Sequence, residues 1–144
     1  MPELVDRPGP TAVVERLRDA SNAHDLEKIV ACFTPDYCNE TPLHPARGFV
    51  GSEQVRLNWT QILAAIPDVS TEIVASVADG DTVWSQWEHR GTRRDGSPHL
   101  MRGVIIFGLR DGLIAAARFF LEPVQDVGGG VDAAVLRQVR TGNL

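Results

Sequence analysis

Apolar residues along this chain repeat first with a helical period and then with a strand period, and the change falls near residue 69. Val13, Val14, Leu17 and Ala20 recur at intervals of three and four, which predicts an amphipathic helix capped by Thr11. Asn22 to Asp25 breaks it, and Asp25 caps a second, short helix carrying Leu26, Ile29, Val30 and Phe33. Pro35-Asp36 ends that helix and a strand opens at Tyr37. A loop bearing Pro42, Pro45, Gly48 and Gly51 follows. Ser52 then caps the longest helix, with Val55, Trp59, Ile62, Leu63 and Ile66 on one face and Pro67-Asp68 as its stop.

Beyond that stop the chain reads as strand. Val69 to Ala78 is rich in β-formers, Asp79-Gly80-Asp81 is a hairpin turn, and Thr82 to Arg90 alternates. After a polar turn, Arg93 to Ser97, come two more strands, Leu100 to Leu109 and Leu113 to Glu122, joined by Arg110-Asp111-Gly112. Past Pro123 lie Gly128-Gly129-Gly130 and a short amphipathic helix through Val135, Leu136 and Val139. The expected fold class is α+β, with helices packed on one face of a curved antiparallel sheet. Three segments are expected: a flexible stretch over 1–10, one domain over 11–123, and a Gly-rich linker with a short helix over 124–144.

Composition narrows the function classes. At 144 residues, 43% hydrophobic and 23% charged, the chain has the size and make-up of one globular domain. No apolar run is long enough to span a bilayer, and the charged, Pro-rich first ten residues do not read as a secretory leader. A net charge of −5 with interspersed signs argues against a nucleic-acid surface. Thirteen of the fourteen bases are Arg, which reads first as compositional bias and second as a surface that grips phosphate or carboxylate. Cys32 and Cys38 are not in a Cys-x-x-Cys pair and His24, His44, His89 and His99 are scattered, so neither a disulfide framework nor a metal site is expected. No Gly-rich phosphate loop follows a strand. A cytoplasmic protein without cofactor or metal is the expectation.

Four stretches carry a family resemblance: Asn22-Ala23-His24-Asp25, Thr34-Pro35-Asp36-Tyr37-Cys38-Asn39, Ile66-Pro67-Asp68 and Arg110-Asp111-Gly112-Leu113-Ile114. In order and spacing, over residues 11–123, the chain resembles the nuclear-transport-factor-2-like superfamily, specifically its SnoaL-like branch. Polyketide cyclases belong to that branch, and limonene epoxide hydrolase and ketosteroid isomerase are relatives. The resemblance implies a cone, a bent sheet wrapped around the long helix with two shorter helices before it, enclosing an apolar pocket. It also implies a homodimer through the outer face of the sheet.

Strand alternation assigns side chains to the two faces. Tyr37, Asn39 and Thr41 share one face, and Tyr37 and Asn39 match the Tyr and Asn that hold the attacking water in the epoxide hydrolase pattern. On the strand after the hairpin, Trp84, Gln86 and Glu88 share a face. The same pattern places an Arg and an Asp there, so Glu88 is the expected proton carrier, with Gln86 supporting it in place of the Arg. A carboxyl in an apolar pocket has a raised pKa and serves as general acid or base. Trp59, Trp84, Met101, Ile105 and Phe119 are expected as pocket walls, and His44, in Leu43-His44-Pro45, as a gate. The chain departs from its relatives at Phe119, where cyclases and epoxide hydrolases carry their acid–base Asp. The ketosteroid isomerase set fares no better, its positions falling at Thr41, Leu17 and near Ile105. Trp87, Val104, Ile106 and Phe120 are assigned to the outer, dimer-forming face, rimmed by His89, Arg102, Arg118 and Glu122. The expected function is binding of a small, mostly hydrophobic molecule with cofactor-free acid–base chemistry of isomerase, cyclase or epoxide-hydrolase type. The alternative is a non-catalytic binding or dimeric accessory protein.

Overall fold

In a computed structural model describing residues 9–140, the helical period of the first third produces α1 (Thr11–Asn22) and α2 (Leu26–Val30). Most of the segment expected to be flexible, residues 1–8, lies outside the described residues. α1 buries Val13, Val14, Leu17 and Ala20, the predicted stripe, but its cap position is Pro10 and Thr11 makes no capping bond. Asp25 does cap α2, accepting from the Lys28 backbone N–H at 3.1 Å. The Asn22-Ala23-His24-Asp25 motif is a clamp. Asn22 accepts from the Thr71 backbone N–H at 2.7 Å and donates to the Thr71 carbonyl at 3.0 Å, while His24 Nε2 meets the Val69 carbonyl at 2.8 Å.

β1 (Phe33–Glu40) begins earlier than Tyr37, and a 3-10 turn, Pro45–Arg47, leads to the two-residue β2 (Phe49–Val50). α3 (Ser52–Ala65) starts at Ser52, but its cap position is Gly51, with φ +107°, and no side chain caps it. β3 (Ser70–Asp79), β4 (Thr82–Thr92), β5 (Pro98–Arg110) and β6 (Leu113–Pro123) follow as expected. The six strands form one sheet in the order β2-β1-β6-β5-β4-β3. β1 runs parallel to β6 and every other pair is antiparallel. Irregularities between Phe33 and Cys38, between Ile73 and Ala75, and between Gly108 and Leu109 bend the sheet. The first includes Pro35, which has no N–H to give to a ladder.

The bent sheet and the helices close on an apolar core in which Val14, Ile29, Val83, Phe107 and Ile114 are essentially inaccessible to water. The architecture is therefore the α+β cone. α4 (Val131–Arg140) is the predicted terminal helix, but it buries none of its residues and so does not cover the outer sheet face. Among the described residues, no helix is long and apolar enough to cross a membrane.

Candidate functional site: an apolar pocket with a histidine in its wall

The cone encloses a cavity of about 320 Å³. That is near the lower end of the roughly 300–1,000 Å³ typical of small-molecule sites. Its apolar wall comes from α1 (Leu17), α3 (Val55, Trp59, Ile62), β5 (Met101, Ile105, Phe107) and β6 (Phe119, Leu121). Of the five expected wall residues, Trp59, Met101, Ile105 and Phe119 line it.

β1 supplies the first polar group. Tyr37, Asn39 and Thr41 all line the cavity and all are buried, as the alternation predicts. The Tyr37 hydroxyl donates to Asn39 Oδ1 at 2.6 Å, and Asn39 Nδ2 makes a long contact, 3.5 Å, with Thr41 Oγ1. Burial pushes the Tyr37 pKa far above its ordinary value, so the phenol stays protonated and acts only through its hydrogen bonds. Phe33 and Phe49 pack edge-on against its ring and hold it in place. The amide of Asn39, oriented by Tyr37, keeps N–H capacity for a substrate oxygen or a water.

β4 faces the other way from expectation. Val83, Ser85 and Trp87 are buried and Trp87 and His89 line the cavity, whereas Trp84 is 48% exposed on the outer face with Gln86. The register explains the reversal. Ser85 pairs with Ile105, Val83 with Phe107 and His89 with Met101, and directly opposed residues of an antiparallel pair share a face. Once Ile105 and Met101 point inward, Ser85, Trp87 and His89 must do so too. Trp87 sits opposite Gly103, and its indole N–H donates to Ser85 Oγ at 2.8 Å, which in turn donates to the Ile105 carbonyl at 2.7 Å. Both buried polar groups are thereby satisfied.

Glu88 therefore does not reach the pocket. Its Oε1 accepts from Arg90 at 2.6 and 3.0 Å and its Oε2 from Arg102 at 2.5 Å on the outer face. The Arg102 and Arg90 guanidiniums hold its carboxyl below the usual range, the opposite of the raised pKa expected of a pocket carboxyl. Gln86 and Trp84 leave the site with it.

The group that takes this place is His89. It lines the cavity, stacks edge-on against Trp87 at 5.8 Å between ring centres, and neither ring nitrogen has a hydrogen-bond partner within the described protein. Burial, with a smaller contribution from nearby His99, pulls its pKa from 6.5 down to about 4. It is neutral at physiological pH and free to accept a proton. Because the unfolded chain takes up this proton near pH 6.5 and the folded chain only near pH 4, folding stability is highest above pH 6.5 and falls as pH drops toward 4. Up to about 3 kcal/mol is lost over that window. Urea unfolding at pH 7 and pH 4.5 should show a smaller pH difference in His89→Gln than in the wild type.

At the mouth, His44 Nε2 meets Glu122 Oε1 at 3.2 Å. Glu122, opposite Arg102 at the end of β6, also lines the cavity there, and its ion pair is with His44 and not with Arg118. Arg47 and Asn58 also line the mouth without having been singled out in the sequence. Arg47 sits on the Pro45–Arg47 turn, which no periodic pattern places, whereas Asn58 lies on α3 three residues after Val55 and four before Ile62, so the helical period of that stripe could have found it. Cys32 is buried in the core and Cys38 is exposed, both as free thiols.

The comparisons with known proteins agree with this architecture. A family model for the SnoaL-like domain matches residues 14–117, and the chain belongs to that family. No curated protein matches it. Among solved structures, wild-type IdmH from Streptomyces antibioticus, a candidate polyketide cyclase, superposes with a TM-score of 0.70 at 23% identity, covering 80% of this chain and 93% of IdmH. A candidate SnoaL-like polyketide cyclase from Jannaschia sp. CCS1 gives 0.68 at 20% identity, covering 82% and 91%. A cystatin-fold protein from Novosphingobium aromaticivorans gives 0.66 at 22%, covering 79% and 99%. At these identities the likeness is one of fold.

Proposed function

We propose that this chain binds a small, mostly apolar molecule in the cone and moves a proton on it without a cofactor, in a step of isomerase, cyclase or epoxide-opening type. The observation that carries the reading is His89: an imidazole held neutral in an apolar cavity with no hydrogen-bond partner from the protein. Asn39 and Tyr37 supply a second polar point, suited to a carbonyl oxygen or a water. His89 would accept the proton while the Asn39 amide bears on the oxygen where negative charge grows. A general base in a water-poor site contributes typically 10²- to 10⁴-fold. The test uses nitrobenzisoxazole, a flat apolar molecule whose ring proton a base removes in one step to give a coloured phenolate. Saturable acceleration that excess naphthol competes away is expected. Acceleration that neither saturates nor yields to naphthol would locate the chemistry outside the pocket.

Phe119 favours a second reading, a binding protein without turnover, because an apolar ring lines the pocket where its relatives carry their acid–base Asp. Under that reading naphthol binds and nitrobenzisoxazole is not consumed.

A homodimer through the outer sheet face is part of the proposal, with the residue set revised. Val104, Ile106 and Phe120 keep the outward register, with Ile106 already covered at 7% exposed, while Trp87 leaves that face for the core and Trp84 joins it through its row with Ile106. A half-exposed indole beside Val77, 64% exposed, forms an apolar patch bordered by Arg90, Arg102 and Arg118. Sedimentation should give a dimer for the wild type and a monomer for Trp84→Glu; a wild-type monomer would contradict this part.

A further inference from the structure

Arg47 stands at the pocket mouth on a loop that is tied down at several points. The His44 N–H donates to the Thr41 carbonyl at 2.8 Å, the Arg47 N–H to the His44 carbonyl at 2.9 Å, and the Gly48 N–H to the Pro45 carbonyl at 3.2 Å. Pro45 fixes the start of the turn. The His44 side chain is in turn anchored on Glu122 at the end of β6. The turn therefore holds the Arg47 side chain against the cavity, which it lines.

Its guanidinium has neither a hydrogen bond nor an ion pair among the described residues. Five other arginines of this acidic chain are spent on carboxylates, Arg18 with Asp19, Arg56 with Glu27, Arg90 and Arg102 with Glu88, and Arg110 with Asp36, while Arg93 and Arg94 are spent on the Pro98 and Ala64 carbonyls. Glu122, the carboxylate that shares the mouth with Arg47, is engaged by His44 instead. The rim of a mostly apolar cavity thus carries a planar cation whose five donors are unused among the described residues, in a protein whose net charge is −5.

We infer that the ligand is amphipathic, an apolar body bearing one carboxylate, with the body in the cone and the carboxylate on Arg47 at the mouth. This rests on the pocket being the binding site, as proposed above. A guanidinium matches a carboxylate in two parallel hydrogen bonds, and such charge-assisted pairs are about twice as strong as neutral ones. Arg47 then acts as a specificity determinant. It selects acids over neutral molecules of the same shape and sets which end of the ligand enters first, leaving His89 and Asn39 to the apolar end.

The experiment compares naphthoic acid with its isosteric amide, naphthamide, by quenching of tryptophan fluorescence, since Trp59 and Trp87 line the cavity. At pH 7 and low salt the acid should bind about tenfold more tightly than the amide. The advantage should shrink as salt is raised, disappear in Arg47→Met and return in part in Arg47→Lys. Equal affinity of the wild type for the two probes, or an acid preference that survives in Arg47→Met, would overturn the inference and leave the pocket reading standing. Failure of both probes to bind would overturn the pocket reading and this inference together.

Discussion

Replacing His89 with glutamine should slow the opening of nitrobenzisoxazole by about 100-fold or more, with the folded structure retained. Glutamine preserves a polar side chain of similar reach but has no basic nitrogen. The loss should therefore fall on kcat, with KM little changed, because the apolar wall that holds the probe is intact. The same substitution removes the pocket imidazole that burial holds down to about pH 4, so the acid limb of the rate profile should vanish with it. Glu88→Gln is the matched control. Its carboxylate is spent on Arg90 and Arg102 on the outer face, and the variant should keep the wild-type rate. A result in which Glu88→Gln is inactive and His89→Gln active would reverse the orientation of β4 that the site depends on. Equal rates for His89→Gln and the wild type would remove His89 as the base.

Gly103→Ala should be the most damaging small substitution in the chain, costing about 4 kcal/mol and lowering Tm by about 10 °C. Gly103 lies inside β5, between Trp87 on β4 and Leu121 on β6, with φ +154°. A Cβ there would sit 2.0 Å from the Phe120 carbonyl oxygen and 2.8 Å from the Leu121 Cα. These are backbone atoms in the middle of the sheet, so relief requires β5 and β6 to separate. The absent side chain also leaves the position opposite the Trp87 indole free, on the strand pair that carries His89. Gly130→Ala, where an added methyl meets nothing within 4 Å, should leave Tm unchanged. If Gly103→Ala melted with the wild type, the tight contact between β5 and β6 would not exist in solution.

The elements were legible wherever a period ran for several turns or residues. The stripe of α1, the Asp25 cap and the hairpin at Asp79 to Asp81 follow from spacing alone, and the family resemblance supplied the inward direction of Met101, Ile105 and Phe119. Tyr37, Asn39 and Thr41 were readable for the same reason, since one strand carries them at a period of two. β4 was not, and the cause is specific. It has a tryptophan on each face, Trp84 and Trp87, and a polar residue beside each, so alternation gives two equivalent answers. Only pairing with β5 breaks the tie, because Ser85 lies opposite Ile105. That one-residue choice moved Glu88 out of the site and His89 into it. The mouth was illegible for a different reason. His44, Arg47 and Glu122 come together through a loop folded over a distant strand end, and no local pattern encodes that meeting.

Nitrogen-15 NMR of the His89 imidazole tests the central claim most directly, that a neutral, desolvated histidine lines a ligand-binding cone. The free protein should show its ring titrating near pH 4, with the His89→Gln spectrum providing the assignment. Saturation with naphthol should shift its ring nitrogen signals at pH 7. A midpoint near 6.5, together with signals that ignore naphthol, would place His89 in open water and contradict the account.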